Sequence, residues 1–270
     1  MPEGHTLHRL ARLHKRRYAG APVEVTSPQG RFAAEASRLD GQVLVGAEAY
    51  GKHLFHDYGP HGTVHIHLGL YGTFGEDKLP APEPVGQVRL RLIGKTHWTD
   101  LRGPNKCELL DAAQVDAIRA RLGPDALRRD AKPDQAWAKI SRSKVSIAAL
   151  LMDQSVLAGV GNVYRAEVLF RHGIAPATPG RALDRTLWDS IWADLVALMR
   201  DGVRVGRIDT VAPEHLPEAM GRAARVDRHG GEVYVYRRTG QPCLVCGTPV
   251  AHADLAGRNL YWCPTCQKDS

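Results

Sequence analysis

The sequence contains little of what marks membrane and secreted proteins. No apolar run approaches the roughly 18 residues that a transmembrane helix needs. The N-terminus lacks the basic-then-apolar pattern of a signal peptide, and the chain has no repeat, heptad array or low-complexity segment. These absences argue against a membrane or fibrous protein. They predict a cytoplasmic protein whose 270 residues form one large or two medium domains.

Cysteine is also scarce, and its placement is informative. Five cysteines without an export signal argue against a disulfide framework. Four of them form two Cys-x₂-Cys pairs, Cys243/Cys246 and Cys263/Cys266, with sixteen residues between the pairs. This spacing is typical of two knuckles that close a tetrahedral zinc site, and four thiolates leave no open position for catalysis. The sequence therefore predicts one structural Zn²⁺, and the remaining Cys107 is expected to be a small buried residue.

Acidic residues are outnumbered by basic ones. Lysine and arginine total 36 against 29 aspartates and glutamates, so the formal net charge is +7. This balance favours a polyanionic partner. Charge alone does not identify that partner, since many basic proteins bind no polyanion.

The first half of the chain has one helical pattern followed by short β-like runs. Residues 3–18 carry apolar or part-apolar side chains at helical spacing, which predicts a long first helix. The β-like runs are 23–26, 42–50, 53–58, 63–68, 87–93 and 97–101. Several short strands divided by turn residues predict an antiparallel β-sandwich rather than alternating βα units.

The second half is predicted to be helical. Asp111 is a candidate cap for a short helix, and the polar stretch 125–135 is predicted to be a linker. Helical patterns follow at 143–153, at 162–172 and at 184–201, the last ending at Gly202. We therefore expect an α+β protein. Its domains would be a β-sandwich over 1–124, a helical domain over 136–232 and a zinc finger over 233–270.

The first three residues admit two interpretations. Removal of Met1 would leave Pro2 as a free secondary amine with Glu3 beside it. An α-amino group titrates near roughly 8, against about 10.4 for lysine, so it is a far better nucleophile near neutral pH. Such an amine can attack an electrophilic sugar carbon and form an iminium. Proline and glutamate are also ordinary helix-start residues, and the pair taken alone favours that second interpretation.

The glycine-rich segment 154–162 lies between two helical patterns. Its small residues would let backbone N–H groups approach a phosphate closely, and Asn162 could cap the second helix while offering its amide to a phosphate oxygen. An ordinary hairpin of two helices explains the glycines equally well. The residues alone leave both interpretations open.

The motifs taken together resemble one family. They are Met1-Pro2-Glu3-Gly4-His5, Gly51-Lys52-His53-Leu54, Asp153-Gln154, the run 158–164, the run 167–170, Gly257-Arg258 and the run 261–267. Found in this order along nearly the whole chain, they resemble the formamidopyrimidine/endonuclease VIII family of bifunctional DNA glycosylases. The resemblance implies a β-sandwich with a long first helix, a helix–two-turn–helix domain and a zinc finger. It also implies that the damaged nucleotide is flipped out of the DNA stack.

The resemblance further implies roles for individual residues. Pro2 resembles the nucleophile that displaces the damaged base, and Glu3 resembles the acid/base that protonates the ribose ring oxygen. Lys52 resembles the lysine that contacts phosphate and assists β-elimination, and Arg258 the finger arginine linked to δ-elimination. DNA contacts are implied for Asn162, Arg121, Leu70, Tyr71 and Arg102. The expected partner is double-stranded DNA with oxidised bases or abasic sites, with single-stranded DNA as an alternative, bound by a monomer in the bacterial cytoplasm.

Two features bear on the branch of this family. Leu70-Tyr71-Gly72 resembles the endonuclease VIII branch, where such residues fill the gap left by the flipped base. His67-Leu68-Gly69 resembles the formamidopyrimidine branch instead. Oxidised pyrimidines are therefore favoured over 8-oxoguanine as the substrate. A non-catalytic binder of damaged DNA and a zinc-ribbon protein of nucleic-acid metabolism are the competing hypotheses.

Overall fold

A computed structural model describes residues 2–227 and 231–268 of the chain. Met1, whose removal the sequence leaves open, lies outside the described residues. The chain divides into two compact units, Met1–Arg121 and Leu122–Ser270. Within the described ranges, no helix has both the length and the apolar character that crossing a membrane requires.

The first unit is a β-sandwich with one long helix, as predicted. Its elements are α1 (Gly4–Tyr18), β1 (Glu24–Thr26), α2 (Ala33–Leu39), β2 (Gly46–Tyr50), β3 (His53–Asp57), β4 (Thr63–His67), β5 (Thr73–Lys78), β6 (Val88–Ile93), β7 (His97–Arg102), β8 (Lys106–Leu110) and α3 (Ala112–Ala120). One sheet has the strand order β1-β6-β7-β5 and the other β2-β3-β4-β8. Every pair of neighbouring strands is antiparallel.

Apolar side chains from both sheets and from α1 form the core of this unit. Leu7 and Tyr18 of α1 are buried with Leu54, Ile66 and Leu92 of the strands. Sequence reasoning found the six strands that supply most of this core and missed β5 and β8. Neither missed strand buries more than one residue, so neither shows the clear alternation of a half-buried strand. The helix α2 was also missed.

The second unit is helical and ends in a β-hairpin. Its elements are α4 (Pro133–Ile140), α5 (Ile147–Leu150), α6 (Asn162–Arg171), α7 (Arg185–Val205), α8 (Pro217–Met220), β9 (Ala251–Leu255) and β10 (Arg258–Trp262). Trp188 and Leu195 of α7 pack with Tyr164 of α6 in a core that also includes Cys243 and Cys263 of the finger. The finger and the helices of this unit therefore share one core.

Two helix predictions in this unit are corrected. The segment 143–153 forms only the single turn α5, because the N–H groups of Ile147 and Ala148 donate to the carbonyls of Thr178 and Pro176 rather than to a preceding helical turn. The helix α7 does not end at Gly202, which is buried inside it. It ends instead at Gly206, whose φ of 88° is the left-handed conformation that glycine adopts most easily.

The boundary region differs in detail from a polar linker. Ala126 belongs to the core of the second unit, and Asp125 is fully buried. The helix α4 begins at Pro133, inside the stretch 125–135 that was expected to be a linker. The domain boundaries derived from the sequence stay a prediction.

Candidate active site

The start of α1 holds a carboxylate out of solvent. Pro2 is half-buried and the side chain of Glu3 is fully buried. Glu3 occupies the N-cap position, and its backbone carbonyl accepts from the N–H of Thr6 at 2.9 Å. The Glu3 side chain makes no capping hydrogen bond. Burial of a carboxylate is costly, and helix capping does not account for it here.

The start of α1 points towards the turn between β2 and β3. The N–H of Gly20, just after the helix, donates to the carbonyl of Leu44 at 2.8 Å, before β2 begins. Six residues earlier, inside the helix, His14 Nδ1 lies 2.9 Å from Nε2 of His56, which pairs with the second residue of β2. Moving back along α1 thus means moving forward along β2. Because α1 packs along β2 and β3, its N-terminal end lies towards the turn that carries Lys52.

Neutral histidines line the sheet next to that turn. His53 Nδ1 lies 2.8 Å from His65 Nε2, and the two rings are stacked. Burial, and after it the neighbouring His65, lowers the pKa of His53 to about 3. Burial also lowers the pKa of His65 to about 4, against the opposing effect of Glu108. His53 and His65 are therefore neutral rings that hydrogen-bond to each other.

Several cationic groups surround these histidines. After burial, the charges of Lys52 and Lys106 are the causes that lower the pKa of His67. The charges of Arg121 and Lys106 act in the same direction on His53. Arg121 is the exposed C-cap residue of α3. The structure thus brings Lys52 and Arg121 to the same end of the β2-β3-β4-β8 sheet, as an anion-binding surface requires.

Two large apolar side chains project from the loop after β4. Leu70 is 57% exposed and Tyr71 is 84% exposed. The loop is tight, since the N–H of Gly72 donates to the carbonyl of Leu68 at 2.9 Å and a Cβ on Gly72 would lie 2.3 Å from that oxygen. Only glycine fits there, and the constrained backbone holds both side chains in solvent.

Arg102 is held by its neighbours in the first unit. Its Nη2 donates to Asp100 Oδ2 at 2.8 Å, and its Nε donates to the carbonyl of Val85 at 3.0 Å. Asp100 is buried and also accepts two hydrogen bonds from Arg91. These protein contacts hold Arg102 in place, and its DNA contact stays a prediction.

The four finger cysteines form a metal-binding cluster. Their sulfur atoms all lie within 4.8 Å of one another. The Sγ atoms of Cys243 and Cys266 are 3.9 Å apart, and those of Cys246 and Cys263 are 3.4 Å apart. A tetrahedral zinc with Zn–S bonds of about 2.3 Å needs sulfur atoms about 3.8 Å apart. The cluster therefore fits zinc, as the spacing predicted, and Cys107 lies apart as a buried residue of the sandwich core.

Asn162 is attached to the finger hairpin and is not a helix cap. The N-cap of α6 is Gly161, and Asn162 is the first residue of the helix. Its Nδ2 donates to the backbone carbonyl of Asn259 at 2.8 Å. The next residue back along the chain is Arg258, which is exposed at the start of β10. The structure therefore brings Asn162 close to the hairpin that carries Arg258.

Sequence reasoning missed two buried charged residues of α6. Arg165 is 1% exposed and donates both to Asn162 Oδ1 and to the carbonyl of Asn259. Glu167 is fully buried and accepts from Thr210 Oγ1 and from the backbone N–H groups of residues 234–236. The available signal was the presence of two charges within an otherwise apolar helical run.

Comparison with known sequences matches three domain models along the chain. Residues 1–107 match the formamidopyrimidine-DNA glycosylase N-terminal domain, residues 122–213 match its H2TH domain, and residues 240–268 match a zinc finger found in FPG and IleRS. Endonuclease 8 1 of Mycobacterium tuberculosis is 57% identical over 99% of this chain and 100% of its own length. Endonuclease 8 2 of Mycobacterium bovis is 33% identical over the same shares. Formamidopyrimidine-DNA glycosylase of Bdellovibrio bacteriovorus is 31% identical over 87% of this chain and 86% of its own.

Solved structures show the same fold. The complex of Lactococcus lactis Fpg with DNA containing an abasic site has a TM-score of 0.79 at 21% identity, covering 99% of this chain and 100% of that one. MutM in complex with DNA containing carbocyclic 8-oxo-G has a TM-score of 0.78 at 21% identity over the same shares. With the domain matches and the 57% identity to a mycobacterial endonuclease 8, the chain belongs to the formamidopyrimidine-DNA glycosylase family of DNA repair glycosylase/AP lyases, on its endonuclease VIII side.

Proposed function

We propose that this protein removes oxidised bases, preferentially pyrimidines, from double-stranded DNA and then cuts the strand at the resulting abasic site. It would act as a monomer in the bacterial cytoplasm. The observation that carries the proposal is the half-buried Pro2 beside the fully buried Glu3, at the end of α1 that points towards Lys52. Binding alone would not require an amine and a desolvated carboxylate at this place.

The chemistry begins with covalent attack by the terminal amine. The lone pair of the Pro2 nitrogen attacks C1′ and the bond from C1′ to the base breaks, so that the base leaves with the proton that the attacking amine gives up. Glu3 protonates O4′ as the C1′–O4′ bond opens, so that an iminium joins Pro2 to C1′.

The iminium then serves as the electron sink for strand cleavage. Loss of a C2′ proton expels the 3′ phosphate in β-elimination, and loss of a C4′ proton expels the 5′ phosphate in δ-elimination. Water finally hydrolyses the iminium and frees Pro2. Both eliminations release an anion, so cations and donors have to meet the departing phosphates.

Four polar residues are assigned to those phosphates. Lys52 and Arg121 lie at the cationic end of the first unit's sheet and would bind the strand, with Lys52 assisting β-elimination. In the second unit, Asn162 and Arg258 would bind the phosphate beside the lesion, with Arg258 assisting δ-elimination. Phosphate contacts of this kind make affinity fall steeply with salt.

The finger is proposed to hold one structural Zn²⁺. The donor set is four thiolates, which saturates a tetrahedral ion and leaves no site for water or substrate. The ion would stabilise the knuckles from which the hairpin β9–β10 extends. It would supply no step of the reaction.

The exposed pair Leu70 and Tyr71 supports the preference for oxidised pyrimidines. Apolar side chains held in solvent on a constrained loop suit insertion into the gap left by a flipped base. Two mycobacterial relatives named endonuclease 8 support the same branch. Removal of 8-oxoguanine or formamidopyrimidines is the second candidate, favoured by His67-Leu68-Gly69 and by the relative named formamidopyrimidine-DNA glycosylase.

Borohydride trapping separates an enzyme from a non-catalytic binder. With abasic duplex DNA, the wild-type protein with Met1 removed is expected to form a covalent adduct, and Pro2→Gly is expected to lower its yield at least about tenfold, because glycine offers a poorly placed primary amine. Lys15→Gln, a change of an exposed α1 lysine, is the matched control. DNA binding without an adduct in the wild-type protein would support the binder instead.

A cleavage panel decides the substrate. Duplexes and single strands containing thymine glycol, dihydrouracil, 8-oxoguanine or an abasic site are compared, and the product ends are read. Faster cleavage at the two pyrimidine lesions with phosphate at both ends is the expected result. Faster cleavage at 8-oxoguanine would move the protein to the second candidate, and products of β-elimination alone would remove the role given to Arg258.

A further inference from the structure

A buried arginine connects two residues assigned to the same phosphate. Arg165 Nη2 donates to the carbonyl of Asn259 at 2.9 Å, and Asn162 Nδ2 donates to the same oxygen at 2.8 Å. Arg165 also donates to Asn162 Oδ1, so the three groups form a closed set of hydrogen bonds. Arg165 is 1% exposed and Asn162 is 6% exposed, so solvent does not compete for these contacts.

The hairpin that carries Arg258 depends on such contacts for its orientation. It consists of two strands of five residues each, and a hairpin of this size is at most marginally stable by itself. Its turn contains Ala256 at φ 52° and Gly257 at φ 73°, directly before Arg258. On the other side of Arg258, His252 Nε2 lies 2.9 Å from Asn259 Oδ1, and the His252 ring lies 5.4 Å from that of Tyr261. Both the main chain and the side chain of Asn259 are therefore held.

We propose that Arg165 and His252 are positioning residues that clamp Asn259 and thereby fix Arg258 relative to Asn162. The inference rests on the function proposed above. Arg165 holds the carbonyl of Asn259 to α6, and His252 holds its amide across the hairpin. The clamp makes Asn162 and Arg258 one phosphate-binding unit, so that Arg258 meets the 5′ phosphate as it leaves in the second elimination.

The first test is Arg165→Met, which keeps an unbranched side chain and removes the donors. The ratio of δ- to β-elimination products from abasic duplex DNA is expected to fall about tenfold, because displacement of a catalytic group by about an ångström costs that much or more. The yield of the borohydride adduct is expected to stay at the wild-type level. Arg165→Lys is expected to restore the ratio in part, because a lysine can donate to one of the two acceptors.

Arg171→Met is the matched control. Arg171 is also on α6 and also donates to a backbone carbonyl, that of Thr210, besides its ion pair with Asp194. Within the part of the chain described, its hydrogen bonds go to Thr210 and Asp194 and none goes to the hairpin. Loss of Arg171 is expected to lower thermal stability without changing the product ratio. A parallel drop in the ratio for both variants would mean a general structural effect and would overturn the positioning role.

A double-mutant cycle tests whether Arg165 acts through Arg258. If it does, adding Arg165→Met to Arg258→Gln lowers the product ratio little further, because residues that act as a unit are not additive. Additive losses in the two variants would overturn the proposal.

His252→Phe keeps the test decisive if Arg165→Met does not fold. His252 is exposed, and phenylalanine retains the ring against Tyr261 while removing the contact with Asn259. A two- to fivefold fall of the product ratio with wild-type zinc content is expected, and an unchanged ratio overturns the proposal. Absence of an adduct in the wild-type protein would instead refute the proposed function.

Discussion

The two units bury polar groups in different ways. The interior of the first unit contains pairs of imidazoles, His14 with His56 and His53 with His65, whose nitrogens lie 2.9 and 2.8 Å apart. Burial lowers the pKa of His53 to about 3 and that of His65 to about 4, so these rings are neutral at pH 7. Neutral rings can be buried at small cost as long as each pair keeps its hydrogen bond.

The second unit satisfies its most deeply buried charges with backbone groups, whereas in the first unit the buried Asp100 is paired with the side chain of Arg91. Glu167 accepts from the N–H groups of Tyr234, Val235 and Tyr236 at 2.7 to 2.9 Å and from Thr210 Oγ1 at 2.5 Å. In the same unit, Arg165 donates to the backbone carbonyl of Asn259. We therefore expect that acid lowers the stability of the first unit before that of the second. The stability of the second unit should instead depend on single charged residues such as Glu167.

The largest effect is expected for Glu167→Gln. An amide offers one acceptor oxygen where the carboxylate has two, and its NH₂ group would face backbone donors, so buried N–H groups lose their partners. A loss of about 3 kcal/mol in the free energy of unfolding is expected, since each unsatisfied buried group costs about 1–3 kcal/mol. Denaturant unfolding followed by tryptophan fluorescence measures it, because four of the five tryptophans lie in the second unit. The exposed Glu218→Gln is the control, and a loss below about 1 kcal/mol in Glu167→Gln would remove the contrast between the units.

Acidification should act on the first unit. His53 and His65 have folded pKa values of about 3 and 4, against 6.5 when exposed. Between pH 6.5 and about 4 the unfolded chain therefore binds more protons than the folded one, and the free energy of unfolding decreases as the pH is lowered. The slope is at most about 1.4 kcal/mol per pH unit for each histidine. Above pH 6.5 both histidines are neutral in the folded and in the unfolded chain, so they no longer make the free energy of unfolding depend on pH.

Hydrogen exchange at pH 7, 6 and 5 locates the effect. The amides of β3 and β4 are expected to lose protection before those of α7. The exposed His61→Gln should leave the pH dependence unchanged, whereas His53→Gln should flatten it. Equal loss of protection in both units would contradict the assignment of acid sensitivity to the first.

The smallest effects are expected at helix caps, where the two units should behave alike. Asp111 Oδ1 accepts from the N–H of Gln114 at 2.8 Å, and Asp184 Oδ1 accepts from that of Leu187 at 2.7 Å. Replacing either aspartate with alanine should cost about 1 kcal/mol. Denaturant unfolding measures both losses in the free energy of unfolding. Equal losses would mean that the two units differ only in their buried polar groups. A loss near zero for Asp184→Ala would show that the helix caps of the two units differ as well.

Local patterns explain what the sequence predicted well. The first helix and the central strands have the periodicities of elements that bury one face or both, and the cysteine spacing alone indicates the knuckles. The strand β5 carries a weaker pattern because none of its residues is fully buried. It is recognised as a strand only by its pairing with β7.

The buried polar contacts could not be predicted, because their partners lie far apart along the chain. Asn162 reads as a helix cap in the sequence, yet it bonds to the carbonyl of Asn259, 97 residues later. Glu167 bonds to backbone groups 67 to 69 residues away, which carry no side-chain signal. Motifs therefore identified the residues assigned to chemistry, whereas the structure was needed to find those that hold them in place.

Mass spectrometry of the borohydride-trapped adduct tests the central claim most directly. Proteolysis of the adduct between the Met1-processed protein and abasic DNA is expected to place the sugar on the peptide that begins with Pro2, at its terminal nitrogen. A sugar found on the peptide containing Lys52 instead, or an adduct formed equally well by protein that retains Met1, would contradict the assignment of Pro2 as the nucleophile.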